Sequence, residues 1–147
     1  MWFDVENEAL CTDEELKNFL RSAGHMVVLL DGPTGCGKTM IMKSLAAEES
    51  ANVGFMSSQI LSLSIIDKIL HKWDIAKSEY AAYSTLCIED VDISLHTPSS
   101  QTSAAYTVMR ACEKQLVVLT GIKCEERIPV LLDTIKSPLR IFRYTAA

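Results

Sequence analysis

Gly32, Pro33, Thr34, Gly35, Cys36, Gly37, Lys38 and Thr39 carry the spacing G-x-x-x-x-G-K-[ST], directly after a largely apolar run at 25–31. These residue types at this spacing make a site for phosphate. Glycines at 32, 35 and 37 let the backbone turn tightly, so that successive N–H groups point inward as an anion nest. A helix starting near Lys38 adds the positive end of its dipole. Lys38 is placed to reach the β- and γ-phosphates, and the Thr39 hydroxyl to ligate Mg²⁺. A glycine-rich turn without a ligand would leave Lys38 and several amides converging on nothing. The expected ligand is ATP or ADP with Mg²⁺, held by residues 32–39.

Such a loop also needs a carboxylate at a strand end to hold the metal through water, and often a second acid to orient the attacking water. The run Leu86, Cys87, Ile88, Glu89, Asp90 supplies two adjacent acids after an apolar strand. Glu89 and Asp90 are therefore the candidates for catalysis and, with Thr39, for metal binding. Asp92 reads as a solvated strand end or a helix cap. The usual order places Asp first, so Glu89 at the metal position is a departure; its extra methylene displaces the metal or its water. Cys36, beside a helix N-terminus, is either an oxidisable thiol that could block the loop or a tolerated spacer.

The elements that must position these groups follow from periodicity. Thr12 and Glu15 form a capping box opening an amphipathic helix to about residue 22, ended by Gly24. Strands are expected at 25–30, 52–56, 85–88, 115–120 and 139–144. Helices are expected at 38–49, 103–114 and 127–136, the last stopped by Pro138. Ser57 or Ser58 can cap a further helix whose apolar positions Ile60, Leu63, Ile66, Ile69 and Leu70 recur at helical spacing, a stripe expected in the core. Residues 72–83 are polar and poorly patterned, and 96–102 read as a turn-rich loop. Alternating strands and helices imply a mainly parallel sheet with helices on both faces.

The bulk numbers bound the rest. The chain of 147 residues is long enough for one domain, 1–147, with a core needing no disulfides. Its net charge of −5 argues against strong direct nucleic-acid binding, which rests on clustered Lys and Arg. No segment approaches the roughly 20 apolar residues that span a bilayer, so no membrane partner is expected. The five cysteines form no C-x-x-C pair, and no signal peptide precedes them, which fits a reduced cytoplasmic compartment. Cys87 and Cys112 read as small buried apolar groups.

Together these residues resemble the bacterial replication initiator DnaA and its Hda-type relatives of the AAA+ class. Residues 86–92 are similar to that family's L-I-D-D-I-Q, residues 111–120 to its strand ending in I-T-S-D, and 129–139 to its P-x-L…R-L-x-S-R segment. The resemblance covers about 25–144. It implies a three-layer α/β P-loop NTPase sandwich with a five-stranded mainly parallel sheet of order 5-1-4-3-2. It also implies a protein partner of the replication machinery. The departures carry equal weight. The family's acidic sensor falls on Ile122, leaving Thr120 as the nearest polar group to orient a water, unless Thr120 only ends a strand. Thr134 and Pro138 stand where the family has arginines, Arg140 reads as a solvated arginine, and no helical lid or helix-turn-helix is expected after Ala147. Trp2 and Phe3 could anchor a partner or pack on the domain's own sheet. The expected function is an ATP-binding AAA+ core acting in replication initiation or its regulation through protein partners, with weak or absent hydrolysis. The alternatives are a small P-loop kinase or an active ATPase of another class, or a structural protein with a relict loop.

Overall fold

The computed structural model describes residues 1–48, 52–63, 65–135 and 138–146. Its strands are β1 (Trp2–Asp4), β2 (Ala9–Cys11), β3 (Val27–Asp31), β4 (Val53–Ser57), β5 (Thr85–Glu89), β6 (Leu116–Gly121) and β7 (Leu139–Tyr144). They form a seven-stranded sheet of order β2-β1-β7-β3-β6-β5-β4. Pairs from β7 through to β4 are parallel, whereas β1 runs antiparallel to both β2 and β7. The five-stranded sheet of order 5-1-4-3-2 is thus corrected to a mixed sheet of seven. The hairpin escaped because its strands are three residues each, too short to show alternation.

The hairpin covers the edge of β7 and is fastened by side chains. Trp2 is fully buried, and its Nε1 donates to Asp13 Oδ1 at 2.9 Å. Of the two readings of Trp2, packing on the domain's own sheet is the observed one. Arg140, expected in solvent, donates instead to Asp4 Oδ2 at 2.6 Å and lies 4.7 Å above the Phe19 ring. That pair ties the hairpin to the strand it shields.

Two cores flank the sheet. On one face α1 (Asp13–Ser22), opened by the Thr12–Glu15 capping box, and α2 (Lys38–Ala46) pack Leu16, Leu20, Ile41, Met42 and Leu45. They meet Val28, Leu30, Cys87 and Val118 of the strands. Val27, Leu29, Leu86, Ile88, Val117 and Leu119 point to the opposite core. Alternate residues of one strand enter opposite cores, which is why the strands read as continuous apolar runs.

The remaining helices are α3 (Ile65–Leu70), α4 (Val91–Ser94), α5 (Pro98–Cys112), α6 (Cys124–Arg127) and α7 (Pro129–Thr134). α5 begins five residues before the expected start at 103, in what read as a loop. Thr97 caps it by accepting from Ser100 N–H at 3.1 Å, and Pro98 sits at the first turn where its missing N–H is harmless. The helix expected over 127–136 is broken into α6 and α7 before Pro129. Lys136 lies outside the described residues, as does Glu49 at the expected end of α2. The stripe expected in the core is corrected as well. A 3₁₀ turn (Ser58–Ser62) buries Leu61, but Leu63, Ile66, Ile69 and Leu70 are exposed. Helical spacing gave a face; nothing in spacing says what covers it.

Candidate nucleotide site

The loop at 32–39 joins the C-terminal end of β3 to α2, in the middle of the sheet. β3 is buried along its whole length, so its end is fixed, and Gly32 N–H donates to Gly121 O of the neighbouring β6 at 3.1 Å. Gly35 and Gly37 take φ of +83° and +105°, a region that L side chains avoid. Gly32 is required for space instead. A Cβ there would lie 2.7 Å from Cys36 Sγ and 2.8 Å from Tyr144 Cβ. Tyr144 in turn meets Trp2 edge-on, with ring centroids 5.6 Å apart. The N-terminal hairpin therefore braces the first glycine of the loop.

Lys38 is buried, and its Nζ donates to the Gly32 carbonyl and, at 3.2 Å, to the Pro33 carbonyl. The ammonium is folded across the loop it belongs to. Thr39 and Met40 are exposed on the first turn of α2. A cleft of about 210 Å³ is lined by Pro33, Thr34, Gly35, Gly37, Lys38, Thr39, Met40, Asp90 and Ile122. Six residues of the sequence-derived loop and one of the two candidate acids thus share one cavity, while Gly32 and Cys36 are outside its lining.

Asp90 comes from the end of β5, where it precedes α4 in a left-handed conformation, φ 57° and ψ 45°. Its backbone is held from two sides. Its N–H donates to Thr120 Oγ1 at 3.3 Å, and its carbonyl accepts from Ser58 Oγ at 2.9 Å. Thr120 is buried at the C-terminal part of β6 and does not line the cleft. Glu89 is half-buried and also outside the cleft lining. By strand alternation it lies on the same sheet face as Cys87, the face covered by α2. Burial raises the Cys87 thiol strongly, and the charges of Glu89 and Asp90 raise it further. Cys124, at the start of α6, is raised by burial first and then by Asp31 and Asp92.

Asp92, read as a solvated strand end or cap, is corrected by its burial. Its side chain is 1% exposed and ion-paired through Oδ2 to Arg127 at 2.8 Å, while Oδ1 has no hydrogen-bond partner among the described residues. The pair links α4, which follows Asp90, to α6, which follows Ile122. Sequence reasoning missed this link and also Asp31, whose Oδ2 accepts from Cys124 N–H at 3.4 Å. An Asp ending an apolar run beside the loop was the available signal for the second. Arg143 pairs with Glu125 on the same end of the sheet.

The described residues contain no group of three or more His, Cys, Asp or Glu able to hold a metal by themselves. The donors in the cleft are the Thr39 hydroxyl and the Asp90 carboxylate. A sparse set of hard oxygen ligands fits Mg²⁺, which keeps most of its shell as water and phosphate oxygens.

A sequence model of the ATPase family associated with various cellular activities (AAA) matches residues 28–135. The chain belongs to this family. No curated protein sequence matches it. Among solved structures, the AAA chain is similar to domain III of the Thermotoga maritima replication initiation protein DnaA, at 15% identity and a TM-score of 0.63, covering 97% of this chain and 67% of that one. It is also similar to a replication initiator DnaA bound to AMPPCP and single-stranded DNA, at 14% identity and 0.57, covering 97% and 50%. AMPPCP-bound DnaA from Aquifex aeolicus gives 13% identity and 0.54, covering 95% and 49%. At such identities the likeness is one of fold, and the AAA chain spans about half the length of most of these proteins. No helix among the described residues is long and apolar enough to cross a membrane.

Proposed function

We propose that this AAA chain binds ATP or ADP with Mg²⁺ at residues 32–39 and works as a nucleotide-responsive module in DNA replication initiation or its control, through protein partners, with slow hydrolysis. The observation that carries the reading is the single cleft shared by the glycine-rich loop, Lys38, Thr39 and Asp90. On binding, Lys38 exchanges the Gly32 and Pro33 carbonyls for phosphate oxygens, and the loop amides and the α2 N-terminus supply the remaining positive potential. Thr39 and Asp90 hold the metal, which when bound neutralises phosphate charge.

What surrounds the cleft supports slow hydrolysis. Glu89 is outside its lining, Ile122 stands where a polar sensor would serve, and Thr120 holds the Asp90 backbone instead of facing the cavity. Among the described residues no arginine lines the cleft, which weighs against a small kinase that clamps a transferred phosphate. The replication role draws on the likeness to DnaA.

Two measurements test the reading. Millimolar ATP·Mg²⁺ should raise the melting temperature, by about 2.7 kcal/mol of stabilisation at a hundredfold excess over Kd, and Lys38→Ala should abolish the shift. Steady-state turnover should stay well below an ordinary enzyme rate of about 10 per second. Turnover at that rate by the isolated chain, lost in Lys38→Ala, would refute slow hydrolysis; no nucleotide-induced shift would refute the site.

A further inference from the structure

We infer that the cleft between α3 and α5 receives an acidic amphipathic helix of a partner protein. Beside it α3 exposes the aliphatic row Ile66, Ile69 and Leu70, by 69, 68 and 71%, of which Ile69 lines the cleft itself. Positions i, i+3 and i+4 share one helix face, so these side chains form a contiguous patch and not scattered exposed hydrophobics. The patch borders a cavity of about 450 Å³ whose walls include Trp73 and Tyr106.

The cavity's charge selects the occupant. Lys68 is half-buried there and donates from Nζ to the Ser103 carbonyl at 3.2 Å, to Ser103 Oγ at 2.7 Å and to Thr107 Oγ1 at 2.8 Å. All three acceptors are neutral, and burial pulls the ammonium down to about 8. Lys72 lines the same wall, while Asp74, the carboxylate in the lining, is engaged by Arg110 at 3.4 Å. In a chain of net charge −5, Lys68 and Lys72 thus stand beside this aliphatic row, and the acceptors of Lys68 among the described residues are a carbonyl and two hydroxyls. A helix with a leucine face flanked by carboxylates complements both features. Single-stranded nucleic acid matches them less well. Bases could stack on Trp73 and Tyr106 but would leave the exposed aliphatic row of α3 uncovered, and the Arg110 guanidinium is held by Asp74 and Glu113.

The inference does not depend on nucleotide at the glycine-rich loop, and Trp73 supplies its assay. The other tryptophan, Trp2, is fully buried in the opposite core, so changes in emission report on the cleft. The full chain is titrated with a designed helix of about 18 residues, leucines on one face and glutamates on its flanks, with a lysine-flanked version and oligothymidylate as comparisons. The glutamate peptide should shift Trp73 emission saturably, with affinity about tenfold weaker in Lys68→Met and lost in Ile69→Asp. Ile69 is exposed, so that variant should keep the wild-type melting temperature and nucleotide-induced shift. The inference is overturned by no saturation up to roughly 1 mM peptide, by equal binding of the lysine-flanked peptide, by tighter binding of oligothymidylate, or by unchanged affinity in both variants.

Discussion

Replacing Arg127 by Met leaves the Asp92 carboxylate buried with neither oxygen bonded. In the native chain Oδ2 is held by Arg127 at 2.8 Å while Oδ1 already lacks a hydrogen-bond partner among the described residues, and the side chain is 1% exposed. Removing one member of a fully buried pair costs about 3–5 kcal/mol. Arg127 is itself 46% exposed, so water screens the pair and the cost falls below that range, to about 2–3 kcal/mol. For a domain of this size that corresponds to a fall in melting temperature of roughly 6–9 °C. The cause separates from loss of arginine packing in a double-mutant cycle by urea denaturation. Asp92→Leu together with Arg127→Met removes both charges and should lie within about 1 kcal/mol of wild type, well above Arg127→Met alone. Strict additivity of the two, or an Arg127→Met penalty below about 0.5 kcal/mol, would refute the reasoning.

Gly32→Ala should destabilise by about 1–3 kcal/mol, because its Cβ would press on Cys36 Sγ at 2.7 Å and Tyr144 Cβ at 2.8 Å; Cys36→Ala should recover part of that loss in thermal melts. At Asp90, with φ of 57°, Gly should be more stable than Ala by about 1 kcal/mol, and both variants should lose the Mg²⁺-dependent part of nucleotide affinity in titrations with and without the metal. Burial holds Lys68 at about 8 in the folded chain, below its ordinary value of 10.5. Between those values the unfolded chain binds the extra proton, so stability at this position rises with pH across that window. Urea melts at the two ends should show the rise in wild type and its loss in Lys68→Met.

The conformation of the loop at 32–39 was legible because it is written in local backbone requirements: two glycines at positive φ, one where a neighbour excludes Cβ, and a lysine and threonine at the helix start. Buried parallel strands were legible for a similar reason, since burial on both faces leaves unbroken apolar runs. The hairpin was not, because three-residue strands carry too little pattern and their pairing with β7 joins the two ends of the chain. The break before Pro129 and the start at Pro98 were each marked by a proline, and Thr97 was the unread cap.

The acids show where local reading stops. Glu89, Asp90 and Asp92 are near neighbours in sequence, yet each meets a different environment. Strand alternation sends Glu89 to the α2 face, and a left-handed turn swings Asp90 into the cleft. The helical turn that follows buries Asp92 against Arg127, 35 residues away. What separates them is the φ of 57° at Asp90, held by Thr120 from β6 and by Ser58 from beyond β4. Those hydroxyls lie 30 and 32 residues from Asp90 in sequence, so no window along the chain contains the contacts that decide which acid lines the cleft. The same contacts give Thr120 a role that an alignment position alone could not assign. It holds the Asp90 amide from behind the cleft, so Thr120→Val should weaken Mg²⁺-dependent nucleotide binding while leaving metal-free binding near wild type. Equal weakening of both would mean that Thr120 acts on the loop itself and not through Asp90.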